Sequence, residues 1–214
     1  MNKILLTLVI AVAASSVGAQ EQLGQEGYVI AYNVAVDTEK DDYDVWVMNP
    51  EGSGKKNITN HPDVAWTYTS SGSDLYFISD RGAPKRNYYL YRTNAAGDPP
   101  VKVSELRLED SWMSFRNGGT EAVVTGRIGD DVRYQLFIID LKTGKYSQMT
   151  AEPGAFHRDP VFSPDGKWLA VEMYNKDNTE FGIYLMNFDT KEIRKLTDPK
   201  DFKYQQAPVW VKKP

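Results

Sequence analysis

Apolar residues along this chain come in short runs, three to five long, with polar and turn-forming residues between them. Leu75-Tyr76-Phe77, Ala122-Val123-Val124 and Leu169-Ala170-Val171 are typical: β-branched or aromatic, partly alternating, and bounded by Gly, Asn, Asp or Pro. That is the pattern of strands. Downstream of the first 19 residues, no stretch keeps a helical period for a dozen positions. The expectation is an all-β chain.

The runs recur. Val45-Trp46-Val47-Met48-Asn49, Leu90-Tyr91-Arg92-Thr93-Asn94, Leu136-Phe137-Ile138-Ile139-Asp140 and Ile183-Tyr184-Leu185-Met186-Asn187 begin 45, 46 and 47 positions apart. After each comes a turn, then an apolar–hydroxyl pair: Ile58-Thr59, Val103-Ser104, Met149-Thr150 and Leu196-Thr197, again 45, 46 and 47 apart. A third landmark is a turn ahead of an apolar run, clearest in Ser163-Pro164-Asp165-Gly166 before Trp168-Leu169-Ala170-Val171. Proline presets φ there and glycine accepts a positive φ. Each unit therefore reads as a four-stranded antiparallel meander, strands A to D, and a period of this length with four strands indicates a propeller blade. Trp46, Tyr91, Phe137 and Tyr184 share one strand C position, where recurrence in every unit predicts packing between neighbouring sheets.

The ends supply the blade count. Tyr28-Val29-Ile30-Ala31 matches strand B, so the first unit lacks strand A, while Ala207-Pro208-Val209-Trp210-Val211 matches strand A with nothing after it. An open sheet edge exposes unpaired backbone groups. Pairing Val209–Val211 beside Val29–Ala31 satisfies both orphans, and the expected fold is a small closed β-propeller of four blades whose C-terminal strand completes the first. A half-ring that closes by dimerising and an irregular fifth blade remain as alternatives.

Composition narrows the class. Lys3, an apolar run from Ile4 to Ala14, and small residues at Val17 and Ala19 read as a secretory signal over 1–19, ahead of a single domain over 20–214. A run of eleven residues is too short to span a membrane, which takes about 20. Export places the mature chain in the periplasm or outside the cell. Without cysteine, disulfides and a lipoprotein start are both excluded. The mature chain carries 24 basic and 29 acidic residues, a balance that argues against a nucleic-acid partner.

Two kinds of chemistry stand out. In a meander the B–C loops and D–A connections share one face, and the B–C loops here are long and charged: 37–42, 80–86, 127–133 and 176–180. Three residues before Trp66, Trp112, Pro160 and Pro208 stand Asp63, Glu109, His157 and Gln205, a polar ring expected at the axial mouth, with His61 and Arg158 beside it. The sharper reading of this ring is a divalent cation or a small polar ligand on the axis. The plainer one is a water-lined channel. Trp66 and Trp112 are either core filler or platforms for sugar rings. There is no cysteine nucleophile, no Gly-x-Ser-x-Gly elbow and no phosphate-binding loop, so no catalytic residue is singled out.

Ser163-Pro164-Asp165-Gly166, Leu196-Thr197 and Phe77-Ile78-Ser79-Asp80-Arg81 resemble the TolB-type propeller repeat over roughly residues 28–211. The resemblance implies a binding propeller. Because no α/β domain is expected ahead of Tyr28 and the blades are fewer, it does not imply that family's envelope-transport role. The expectation is a non-enzymatic module holding a protein partner, or else a small polar or carbohydrate ligand. The alternative is a carbohydrate-active or metal-dependent lyase or hydrolase acting at the axial mouth.

Overall fold

The structure, a computed structural model, describes residues 27–129, 132–152, 154–175, 181–198, 200 and 205–213, with residues 132 and 133 by backbone only. The signal segment lies outside them, as does the expected loop 176–180. Four antiparallel sheets follow one another in chain order. The first holds β1 (Ile30–Asp37), β2 (Asp42–Met48) and β3 (Lys56–Asn57). The second holds β4 (Ala65–Ser71), β5 (Asp74–Ser79), β6 (Tyr89–Asn94) and β7 (Val101–Lys102). In the third, β8 (Arg107–Leu108) and β9 (Ser114–Arg116) both pair with β10 (Glu121–Ile128), followed by β11 (Val132–Asp140) and β12 (Tyr146–Gln148). The fourth is β13 (Ala155–Phe162), β14 (Trp168–Asn175), β15 (Gly182–Asn187) and β16 (Ile193–Lys195), in that order.

The sequence landmarks have local causes. At Ser163–Gly166 the Ser163 hydroxyl donates to Asp165 at 2.6 Å and accepts from the Trp168 amide at 3.0 Å. Gly166, at φ 69°, closes the turn onto the Ser163 carbonyl at 2.8 Å. The hydroxyl of the apolar–hydroxyl pair receives the first amide of strand C fourteen residues upstream. Val45 N donates to Thr59, Leu136 N to Thr150 and Ile183 N to Thr197, at 2.9, 2.9 and 2.8 Å. Thr59 and Thr150 then donate to the residue just before that amide, Asp44 at 2.7 Å and Gln135 at 2.8 Å. In the second unit Ser104 bonds instead to the Gly144 carbonyl of the next unit, at 2.8 Å.

Three buried clusters join the sheets in series. Val45, Val47 and Ile58 meet Ala65, Phe77 and Tyr91 between the first and second sheets. Ile78 and Leu90 meet Val124 and Phe137 between the second and third. Val123 and Leu136 meet Leu169, Val171, Tyr184 and Met186 between the third and fourth. Tyr91, Phe137 and Tyr184 thus fill intersheet space, as their recurrence predicts. Each fully buried side chain of this size contributes about 1.5–3 kcal/mol. Among the described residues no such cluster joins the fourth sheet to the first. Trp46, the fourth member of the series, is only half-buried, on the outer face with Ile30, Tyr32 and Met48.

The expected ladder between Val209–Val211 and Val29–Ala31 is not formed. Among the described residues β1 pairs with β2 alone, and residues 205–213 have no strand pairing. One contact ties the segment elsewhere: the Trp210 indole N–H is engaged by the Val161 carbonyl of β13 at 3.1 Å. Even so, the segment follows the repeat. Ala207 before Pro208 has φ 54°, as Asp159 before Pro160 has φ 49°. The tail therefore repeats β13's departure from extended backbone and lies beside β13, without joining a sheet.

Candidate binding site at the axial mouth

The members of the predicted polar ring do not converge; most are engaged with their own part of the chain. Asp63, with a side chain 5% exposed, accepts from the Ser79 hydroxyl at 3.0 Å and from Arg81 Nε at 2.9 Å, and lies 3.0 Å from His61 Nδ1. Glu109 pairs with Arg127 at 3.2 Å, both side chains buried. Each acid thus meets the arginine eighteen residues on, at or just past the end of the next strand but one, so this is a recurring clamp within a unit. In the fourth unit the same position is His157, fully buried, with Nε2 3.7 Å from Glu152. Burial holds its pKa below the usual imidazole value, opposed by Glu152 and by the Tyr134 backbone. Gln205 donates to the Asp198 carbonyl at 2.9 Å. Among the described residues no three His, Asp or Glu side chains gather closely enough to hold a metal ion. Of the six predicted residues, Arg158 is the one that lines the axial cavity.

That cavity, about 420 Å³, takes residues from every sheet: Asn33 of β1, Trp66 to Tyr68 of β4, Asp110 to Trp112 ahead of β9, and Arg158 with Asp159 of β13. Gln206 and Ala207 of the C-terminal segment complete its wall. Local backbone irregularity produces this arrangement. The inner strand of the third sheet is split between β8 and β9, which frees Asp110–Trp112 from the ladder. In the fourth sheet the β13–β14 register shifts between Arg158 and Val161, a bulge that re-aims the side chains there.

The mouth is held by bonds between neighbouring sheets. Asp159 accepts from the Ser111 hydroxyl at 3.1 Å and the Trp112 amide at 3.2 Å, and its own amide donates to Ser111 at 2.8 Å. Tyr68 donates its hydroxyl to the Glu109 carbonyl at 3.1 Å, and Arg158 Nη2 donates to the Asp110 carbonyl at 2.9 Å. On the other side the Thr67 amide donates to Asn33 at 2.9 Å. Trp66 is fixed between Tyr43 and Tyr88, with ring centroids 5.7 and 5.4 Å away. Trp112 touches Tyr68 at 6.2 Å yet is 55% exposed. It is not core filler. Behind the mouth, Glu172 pairs in register with Arg158, and desolvation pushes its pKa up to about 7, with Asp159 adding and Arg158 opposing.

The charged B–C loops are partly built into the scaffold. Asp80 accepts from the Val64 amide at 2.9 Å and the Arg86 amide at 2.7 Å, so the Ser-Asp-Arg segment anchors its own loop. Arg86 reaches Asp41 at 2.7 Å and links the loops of the first two sheets. The cavity lining begins three residues after Asp63 and one residue after each of Glu109, His157 and Gln205. The signal that marks it is Asp159-Pro160 and Ala207-Pro208, where a pre-proline residue disfavours right-handed helical backbone.

No family model matches the chain. The Tol-Pal system protein TolB of Francisella tularensis subsp. mediasiatica is 30% identical over 84 residues, 39% of this chain and 19% of that protein. The uncharacterized peptidase YuxL of Bacillus subtilis is 26% identical over 189 residues, 69% of this chain and 28% of that protein. TolB from Acinetobacter baumannii superposes with a TM-score of 0.61 at 17% identity, over 79% of this chain and 41% of that one. The chain thus spans about a fifth of the length of the TolB relative it matches in sequence. Repeat spacing, sheet order and these likenesses agree: in repeat and fold the chain resembles TolB-like β-propeller proteins.

Proposed function

We propose that the chain is an exported, non-enzymatic binding module of the periplasm or cell exterior, holding a protein partner on the face that carries the axial mouth and the B–C loops. One observation supports this above the others: a single cavity takes residues from all four sheets, and hydrogen bonds between the sheets fix them. A preorganised, partly exposed surface of this kind is suited to recognition. The reading includes the signal over 1–19 and a closed ring of four blades. In support of the ring, Gln206 and Ala207 share the cavity with Asn33, and Trp210 lies on β13.

A photo-crosslinking residue at Arg86 or Trp112, compared with one at Lys142 in the C–D turn on the opposite face, tests the reading in the native envelope. A protein adduct from the first two positions and none from Lys142 is expected. Equal adducts from both faces, or adducts from Lys142 alone, would overturn it.

A further inference from the structure

Trp112 lies at the mouth with its backbone fixed and its ring bare. The amide before it donates to the Tyr68 hydroxyl at 3.3 Å and its own amide donates to Asp159 at 3.2 Å, so the indole is positioned before any ligand arrives. Leaving so large an apolar face in water costs free energy that burial would recover. The half-buried Trp66, held by Tyr43 and Tyr88, gives the cavity a second aromatic wall.

The charged groups around these rings are mostly acidic. Asp110 and Asp159 bring carboxylates, while Asn33, its Oδ1 taken by the Thr67 amide, and Gln206 bring carboxamides with N–H donors. Among the described residues Arg158 is the one cationic side chain in the lining, and its Nη2 already serves the Asp110 carbonyl. A ligand that fits must offer hydroxyl donors around its edge and a C–H face for the indole. It must also lack negative charge, because two carboxylates outnumber one guanidinium. Sugar rings meet all three requirements. We propose that the axial mouth is a binding site for neutral saccharides, with Trp112 as the stacking platform and Asp110 and Asp159 as hydroxyl acceptors. The inference rests on reading the mouth as a binding site and is independent of a protein partner on the surrounding loops.

The test is titration of the full exported chain with cellotetraose, maltotetraose and the N-acetylglucosamine tetramer, followed by tryptophan fluorescence and calorimetry. Tetragalacturonate and tetralysine serve as the acidic and cationic arms. At least one neutral sugar is expected to bind with a change in tryptophan emission. Trp112→Ala should weaken it by about tenfold or more, as truncating a binding anchor does, and Trp112→Phe should restore part of the loss. Trp168→Ala, which alters an exposed tryptophan away from the cavity, should leave binding unchanged. Three results would each overturn the proposal: no binding by any of the three neutral sugars, binding indifferent to Trp112→Ala, or preference for the acidic or the cationic probe. The crosslinking pattern with a protein partner is read separately and does not depend on this outcome.

Discussion

Phe137 and Trp46 hold the same place in the repeat, yet Phe137 is fully buried and Trp46 half-buried. Both stand on strand C of their unit and point toward the preceding sheet. Phe137 finds the second sheet there, with Ile78 and Leu90 in the same cluster. Trp46 has no preceding sheet packed on it among the described residues. The repeat thus specifies strand, register and the face a side chain takes, while burial is supplied by the neighbour, as in other quasi-one-dimensional assemblies.

The comparison can be broken by substitution. Phe137→Ala should cost about 3–5 kcal/mol in denaturant unfolding, as truncation of a buried aromatic does. Trp46→Ala should cost no more than about 1.5 kcal/mol, since a half-buried ring forfeits only part of its transfer energy. Equal losses would mean that the outer face of the first sheet is covered in solution, as it is when the ring closes. A second contrast is electrostatic. Arg127→Met strands the buried Glu109 carboxylate and should cost about 3 kcal/mol. Arg86→Met, which releases a largely exposed guanidinium from Asp41, should cost under about 1 kcal/mol. The reverse order would remove the recurring acid–arginine clamp as a structural element.

The smallest effect is a pH slope. Glu172 titrates at about 7 when folded, against an ordinary 4.5. Below about pH 4.5 the group is protonated in both states and contributes no slope. As pH rises toward 7 the unfolded chain gives up the proton first, so stability falls. Glu172→Gln should therefore melt higher than the parent at neutral pH and close to it in acid. A gap that is constant with pH would show that Glu172 does not titrate in this range.

The four-unit plan was legible because the repeat is written in local chemistry. Thr59, Thr150 and Thr197 recur because each receives the strand C amide fourteen residues upstream. Ser104 breaks the pattern without losing its position, because its hydroxyl finds the Gly144 carbonyl instead. The axial site was harder to read. Asp63, Glu109 and His157 were placed on the axis by position in the repeat. Whether a polar side chain faces the axis or its own sheet depends on a bulge at Asp159 and on the gap between β8 and β9, which composition and period do not report. Arg158 lies on that bulge and does reach the mouth. The tail misled for a related reason, since Ala207–Val211 carries a strand A sequence while its tie to β13 runs through the indole of Trp210.

The threonine ties have a consequence for how such a chain is made. Each joins the outer hem of a sheet to a strand only fourteen residues earlier, so a unit's wiring is finished as soon as its own segment has been synthesised. Low sequence separation of this kind favours rapid, stepwise folding along the nascent chain. It also makes each unit a parcel that gene duplication can copy intact, because the bonds that shape its rim travel with it.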